Sequence, residues 1–348
     1  MKFKVGLSRD FLNDSGELVF GKDGTDYLST IPHLDFAFFD AHKNPVEAGQ
    51  IASYNGIISL TPQYTKETLA NAEQLLVLAR FGVGYDNVDV QACTEADVAL
   101  VITPNGVRKP VAYSIVTLML ALAHQLQNKS RLIREKRWSD RTSYPGKGIT
   151  GKTLGSVGLG NIAKEMFRMT EPFEMNKLAY DPFIDPALAE ALGVRLVSLD
   201  ELCEQSDFLA VNCFLSKETY HLISTDQFNR MKPDAFLINT ARGGIVDEQA
   251  LIAALRSNRI AGAGLDVFEE EPFVTDSPLH HLDNVIITPH SLCWTDELYR
   301  GLWKETTESV VSFSVGQPTT NVVNKEVLQR PGFLAKLDRW KQISYENR

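Results

Sequence analysis

The sequence is poor in the features that mark several protein classes. It holds four cysteines in 348 residues, Cys93, Cys203, Cys213 and Cys293. None forms a C-x-x-C pair, so neither a metal site nor a disulfide framework is expected. Reduced thiols in a cytoplasmic protein are the simple reading. No apolar run reaches membrane-spanning length. The N-terminus, MKFKVGLSRDF, lacks the apolar core and small-residue cleavage site of a signal peptide. Positive charge is in deficit: 35 Lys and Arg against 44 Asp and Glu give a net charge of −9. Phosphate contact needs clustered cations, so no nucleic-acid or membrane partner is expected. A local basic pocket for a small anion is compatible with this balance. There are no low-complexity segments and no internal repeats.

What is present is ordinary globular composition, 44% apolar and 23% charged. The length implies about two domains. Short apolar runs alternate with helical patterns. FKVGL, DFAFF, GIISL, LLVLA and ALVIT are strand candidates in the first hundred or so residues. A helical pattern over 110–127 is apolar almost all round and is expected to be buried, with its proline in the first turn. A more polar helix is expected over about 128–138. After a Gly/Pro-rich loop at 141–152, a second series begins: TLGSVGLG, KLAYD, RLVSL, FLAVNC, AFLINT, AGAGLDVF and NVIITP. This series is long enough for a complete doubly wound domain. A last helix is expected over 295–315. The tail from Arg330 either packs as an appendage or frays.

The strongest single motif is TLGSVGLGNIAKEMF at 153–167. An apolar strand runs into Gly158 and Gly160, and a helix follows. Gly158 permits the tight turn, and Gly160 lets the backbone approach a pyrophosphate at the helix N-terminus. Ala163 stands in for the third glycine. Asp181 ends the next strand, 21 residues after Gly160 (181 − 160). An acid at that distance accepts from ribose hydroxyls and repels a 2′-phosphate. NAD is therefore expected rather than NADP.

His290, in TPHSLCW, poses the chemical question. A histidine at a strand end is often a core residue, yet imidazole titrates near neutral pH and can move a proton. The chain resembles the D-isomer-specific 2-hydroxyacid dehydrogenases, the family of phosphoglycerate dehydrogenase and hydroxypyruvate reductase. The resemblance covers roughly residues 56–323 and rests on ARFGVGYDNVD, GKTLGSVGLGNI, MKPDAFLINTARGGIVDEQAL, AGAGLDVFEEEP and ITPH. It implies an α/β fold of two doubly wound lobes. A Rossmann NAD-binding domain (106–294) would be inserted into a discontinuous flavodoxin-like substrate domain (1–105 and 295–348), with a cleft and hinge closure between them. It also implies a homodimer.

The resemblance assigns Arg242, Glu271 and His290 as the catalytic trio. The chemistry agrees. A guanidinium can hold a carboxylate bidentately, and an imidazole oriented by a carboxylate can exchange the C2 hydroxyl proton. It places Asn161, Ile162, Cys213, Thr240, Ala241 and Asp266 beside the cofactor, and Gly82, Val83 and Gly84 as a loop whose amides grip the substrate carboxylate. No metal is expected. Ser59, Val107, Arg108, Tyr113 and Trp294 depart from the phosphoglycerate dehydrogenase pattern, which makes phosphoglycerate doubtful as substrate. Arg108 is a candidate contact for a polar or anionic tail, as on a sugar-derived acid. A hydroxypyruvate- or glyoxylate-type acid is the other candidate. Two further readings stay open. One is an NAD(H)-sensing protein like the C-terminal-binding corepressors, which keep the trio. The other is a phosphite dehydrogenase, which also keeps it. A formate dehydrogenase would carry glutamine in place of Glu271.

Overall fold

The computed structural model describes residues 1–273 and 276–346. The chain divides into two compact units, Met1–Val107 with Thr295–Arg348, and Arg108–Trp294. The division falls two residues beyond the 105/106 boundary expected from the sequence.

The first unit holds five strands: β1 (Phe3–Leu7), β2 (Leu34–Phe38), β3 (Gly56–Ser59), β4 (Val77–Arg80) and β5 (Ala99–Val101). They pair in the order β2-β1-β3-β4-β5, all parallel. This is the flavodoxin-like order. The central strands read as unbroken apolar runs because both faces of a parallel sheet are covered. Ile57, Ile58, Val77 and Leu78 are all buried. Helix Asp296–Ser314 returns to this sheet with Trp303 at the centre of an aromatic cluster. Trp303 packs on Phe81 at 4.7 Å and Phe11 at 4.9 Å, and its indole N–H donates to Phe20 O. Gly24 lies against that ring: a Cβ there would stand 2.0 Å from Trp303 Cε3. Gly24→Ala is therefore expected to destabilise this unit by about 1–3 kcal/mol, read as a lower urea midpoint. The C-terminal segment does pack. Helix Pro331–Glu346 buries Phe333 and Trp340, and Lys336 Nζ donates to the carbonyls of Ala72, Leu75 and Ala96.

The second unit holds seven strands: β6 (Thr153–Val157), β7 (Asn176–Tyr180), β8 (Arg195–Leu196), β9 (Phe208–Val211), β10 (Phe236–Asn239), β11 (Gly262–Leu265) and β12 (Val285–Ile287). The order is β12-β11-β10-β9-β6-β7-β8, again all parallel. Strand order reverses between β6 and β9, so the ligand crevice lies outside their carboxyl ends. All seven expected strands exist, and each ends before the apolar run that announced it. The residues left over leave the sheet to form the turns described below.

The long helix differs from its expected bounds. It runs Pro104–Ala123, with Pro110 inside it, and a separate helix Leu126–Arg134 follows left-handed Gln125. The early start has a long-range cause. Glu305 accepts from Asn105 N, Gly106 N and Asn105 Nδ2, capping amides that nothing local could satisfy. By length and composition this helix could cross a membrane, with mean hydropathy 1.3, so the sequence does carry one such run. Ala112, Ile115, Leu118, Met119, Leu122 and Ala123 place it instead in the core of the second unit. Gly264 on β11 admits it, since a Cβ there would lie 3.0 Å from Leu118 Cβ.

Candidate active site

The turn after β6 is shaped by its two glycines in different ways. Gly158 has φ +92°, and a Cβ on it would meet Cys213 N at 2.9 Å. The turn therefore needs glycine both for its conformation and for the close approach of the chain after β9. A Cβ on Gly160 would meet nothing within 4 Å. Gly160 is the N-cap of helix Asn161–Met169, which has no side-chain cap. Uncapped amides on an aligned helix suit an anion such as a pyrophosphate. Ala163 is fully buried and packs the helix on the sheet. Asp181, next after β7, accepts from Leu159 N at 2.8 Å and from Phe183 N at 2.9 Å. Its carboxylate is thus held at the edge of the glycine turn, with further lone pairs for a ribose hydroxyl. Cys213 is half-buried, and burial pushes its thiol up to about 11. All four cysteines are free thiols.

Three strand ends supply the rest. After β10, Thr240 and Ala241 lead to Arg242, whose Nη1 donates to Ala241 O at 2.7 Å. Thr240 Oγ1 is buried and has no hydrogen-bond partner among the described residues. An orphaned hydroxyl is costly unless something else bonds to it. With the open glycine turn, it makes the residues present fit a dinucleotide. After β11 comes Asp266, 3% exposed. Its Oδ1 accepts from Thr288 Oγ1 at 2.6 Å, Ser291 N at 3.1 Å and Leu292 N at 3.2 Å. This clamp organises the turn after β12, where His290 sits with φ +51°. Burial pushes the Asp266 carboxyl up, opposed by those hydrogen bonds and by His290.

His290 Nδ1 lies 2.7 Å from Glu271 Oε2. The other Glu271 oxygen, Oε1, accepts from Phe268 N at 3.0 Å. Burial raises the Glu271 carboxyl, but the His290 bond and charge, the Phe268 amide and the Arg242 charge outweigh it and hold it below the usual range. Glu271 is therefore ionised at neutral pH. It draws the ring proton to Nδ1 and leaves Nε2 as the exchanging nitrogen. Gly243 explains how this segment comes so close to Arg242. A Cβ there would stand 1.8 Å from the carbonyl carbon of Phe268. Gly243→Ala is expected to push the Phe268–Glu269 backbone away, taking Glu271 with it. Activity should fall well before the fold is lost, which parallel kinetic and circular-dichroism measurements would separate.

Other candidates lie elsewhere. Arg108 Nε forms an ion pair with Glu165 Oε2 at 3.2 Å, on the helix that follows the glycine turn. Gly82, Val83 and Gly84 belong to the first unit, in the turn after β4. Gly82 has φ +149°, its N–H donates to Arg80 O, and its carbonyl accepts from Thr103 N. A second histidine–carboxylate pair, His221 Nε2 and Glu269 Oε1 at 2.7 Å, had no local signal in the chain. With Asp247 they bring three ligand atoms within 4.8 Å of one another. Glu269 also accepts from Glu248 N. The acidic run at 269–271 is thus bonded into its surroundings at two of its three positions.

A model of the NAD-binding domain of D-isomer-specific 2-hydroxyacid dehydrogenases matches residues 116–291. The chain belongs to this family. The match takes in the glycine turn, Asp181, Arg242, Glu271 and His290. Among the family's members, a D-3-phosphoglycerate dehydrogenase of Archaeoglobus fulgidus is 39% identical over 267 residues, 77% of this chain and 50% of its own length. The chain thus spans about half the length of that relative. A glyoxylate reductase of Korarchaeum cryptofilum is 37% identical over 279 residues, 79% of this chain and 84% of its own. The apo structure of D-lactate dehydrogenase from Escherichia coli aligns with a TM-score of 0.77 at 26% identity, covering 92% of this chain and 100% of that one. The family's two-domain α/β fold and its NAD cofactor apply to this chain.

Proposed function

We propose that the protein reduces a small 2-keto acid to the D-2-hydroxy acid, or runs the reverse oxidation, with NAD as its cofactor. The observation that carries this reading is the fixed pair His290–Glu271, 2.7 Å apart, with the second Glu271 oxygen tied to the Phe268 amide. With its pyrophosphate held at the glycine turn, NAD would supply hydride chemistry at C2. In reduction His290 Nε2 gives its proton to the C2 oxygen, and in oxidation it takes that proton back. Glu271 keeps the ring oriented through its bond to Nδ1. Arg242 binds the substrate carboxylate and polarises the C2 oxygen. Gly158, Gly160, Asn161 and Ile162 receive the pyrophosphate, and Asp181 the ribose. Cys213, Thr240, Ala241 and Asp266 line the remainder. Of the loop Gly82, Val83 and Gly84, only the Val83 and Gly84 amides are offered to a carboxylate, since the Gly82 N–H is spent on Arg80 O.

The substrate class is a hydroxypyruvate- or glyoxylate-type acid, or a sugar-derived acid whose tail meets Arg108. On this reading the enzyme is a cytoplasmic homodimer. Exposed Leu126, Ile133 and Trp138 offer apolar surface for a second copy, which sedimentation would detect. The deciding experiment follows NADH absorbance with glyoxylate, hydroxypyruvate, pyruvate, phosphohydroxypyruvate and several 2-keto sugar acids. Turnover of at least one is expected. Tight NADH binding with no turnover of any would sink the enzyme reading and favour an NAD(H) sensor. Arg108→Ala should lower kcat/KM only for acids with a polar tail. An unchanged value for the best such acid removes Arg108 from the substrate set.

A further inference from the structure

Arg242 can hold a carboxylate only if the short turn that carries it is rigid, and the structure points to what makes it so. Asn239 is the last residue of β10 and is 1% exposed. Its side-chain Oδ1 accepts from Ala241 N at 3.0 Å, and its Nδ2 donates to Arg242 O at 2.9 Å. Its own backbone carbonyl accepts from Asp266 N at 2.9 Å. One buried amide thus closes the turn from inside, using one donor and one acceptor on two successive residues. The same residue ties that turn to the strand end that clamps the His290 loop. Only an amide of this length serves both bonds. A carboxylate would face the Arg242 carbonyl with a second acceptor, and an apolar side chain would leave the Ala241 amide unpaired and the Arg242 carbonyl with only the longer bond from Ile245 N at 3.3 Å.

We infer that Asn239 is a positioning residue for Arg242, setting the guanidinium for the substrate carboxylate without touching substrate or cofactor. The inference rests on the dehydrogenase reading above for Arg242, and its test is built to fail separately from that reading. The probe is oxamate, an unreactive 2-keto acid mimic that presents a carboxylate beside a carbonyl. Its binding to the protein–NADH complex is measured by calorimetry for wild type, Asn239→Asp, Arg242→Ala and the double variant. The NADH dissociation constant is measured alongside by fluorescence.

Each single change is expected to weaken oxamate by about tenfold or more, the scale of a lost charge-assisted hydrogen bond. The double variant should bind no more than about twofold worse than Arg242→Ala, because the amide acts through the guanidinium. Losses that multiply, or Asn239→Asp binding oxamate as wild type does, would overturn the inference. Asn239→Ser, which introduces no charge, replaces the aspartate variant if that one does not fold. A general loosening of the unit would weaken NADH and oxamate together and would also count against it. If wild type binds oxamate yet reduces no keto acid, the proposed function fails while the cycle still decides the role of Asn239. If wild type does not bind oxamate, the inference is overturned, while turnover still decides the proposed function.

Discussion

His290→Ala should lower kcat by roughly 100- to 10,000-fold, the range that positioned acid–base groups contribute, while NADH binds as before. The separation follows from the geometry. Among the hydrogen bonds that shape the glycine turn, those of Asp181 involve Leu159 and Phe183, and none reaches His290. The histidine's contacts are local instead: its amide donates to Thr288 O and its Nδ1 meets Glu271. Alanine at φ +51° carries the ordinary cost of a left-handed non-glycine residue, which histidine already bears at this position. Truncation therefore removes the proton carrier with little change to the turn. Glu271→Gln should be milder and different in kind. Glutamine can keep a hydrogen bond to Nδ1 but carries no charge. The variant's kcat should fall by less than that of His290→Ala, with NADH binding unchanged. Stopped-flow reduction with NADH would read both effects. A His290→Ala enzyme with unimpaired turnover would remove the histidine from the mechanism altogether.

How far the site could be seen in advance depends on the range of the interaction that fixes each part. Gly158, Gly160 and Asp181 were legible because a strand, a turn and a helix announce themselves within a few tens of residues. The strand series was legible because buried parallel strands are unbroken apolar runs. The start of the long helix was not, since the carboxylate that caps it, Glu305, is 200 residues away in the chain. Arg242, Glu271 and His290 were selected by resemblance; nothing local separates Glu271 from Glu269 and Glu270. The structure separates them by partner: Glu271 takes His290 and Phe268 N, while Glu269 takes His221 and Glu248 N. Asn239, Gly243 and the Asp266 clamp had signals too quiet to read. Each is an ordinary residue at a strand end or turn until the approach of Phe268, or the three donors on Asp266, gives it a reason to be that residue.

The largest expected effect on stability lies at the opposite end of the same sheet. Asp207, just before β9, is 4% exposed. Its carboxylate accepts from Thr153 N at 2.9 Å, at the start of β6, and pairs with Lys147 at 3.0 Å, Lys232 at 3.0 Å and Lys152 at 3.8 Å. Its own amide donates to Thr153 O, and its carbonyl accepts from Phe236 N at the start of β10. Asp207→Ala takes this partner from the Lys232 and Lys152 ammoniums, leaves Lys147 with Asp234 at 2.9 Å, and leaves the Thr153 amide without its acceptor. Removing one partner of such a group costs roughly 3–5 kcal/mol, which in a unit of this size lowers Tm by on the order of 10 °C. The pH dependence has a definite sign. Burial raises the Asp207 carboxyl, but the Thr153 amide and the Lys147 and Lys232 ammoniums outweigh it and hold it below the usual value. A carboxyl depressed by folding contributes stability that is complete above its unfolded pKa of about 3.9 and is lost as pH falls through the folded value. The gap between wild type and Asp207→Ala in urea midpoint should therefore be widest at neutral pH. It should narrow only below about pH 4. Because the cluster sits at the amino ends of the strands, the variant should keep wild-type kcat and NADH affinity at temperatures where it stays folded. A gap that does not change with pH would mean that the charge is spectator to the packing. A loss of kcat in the folded variant would mean that the two ends of the sheet are coupled.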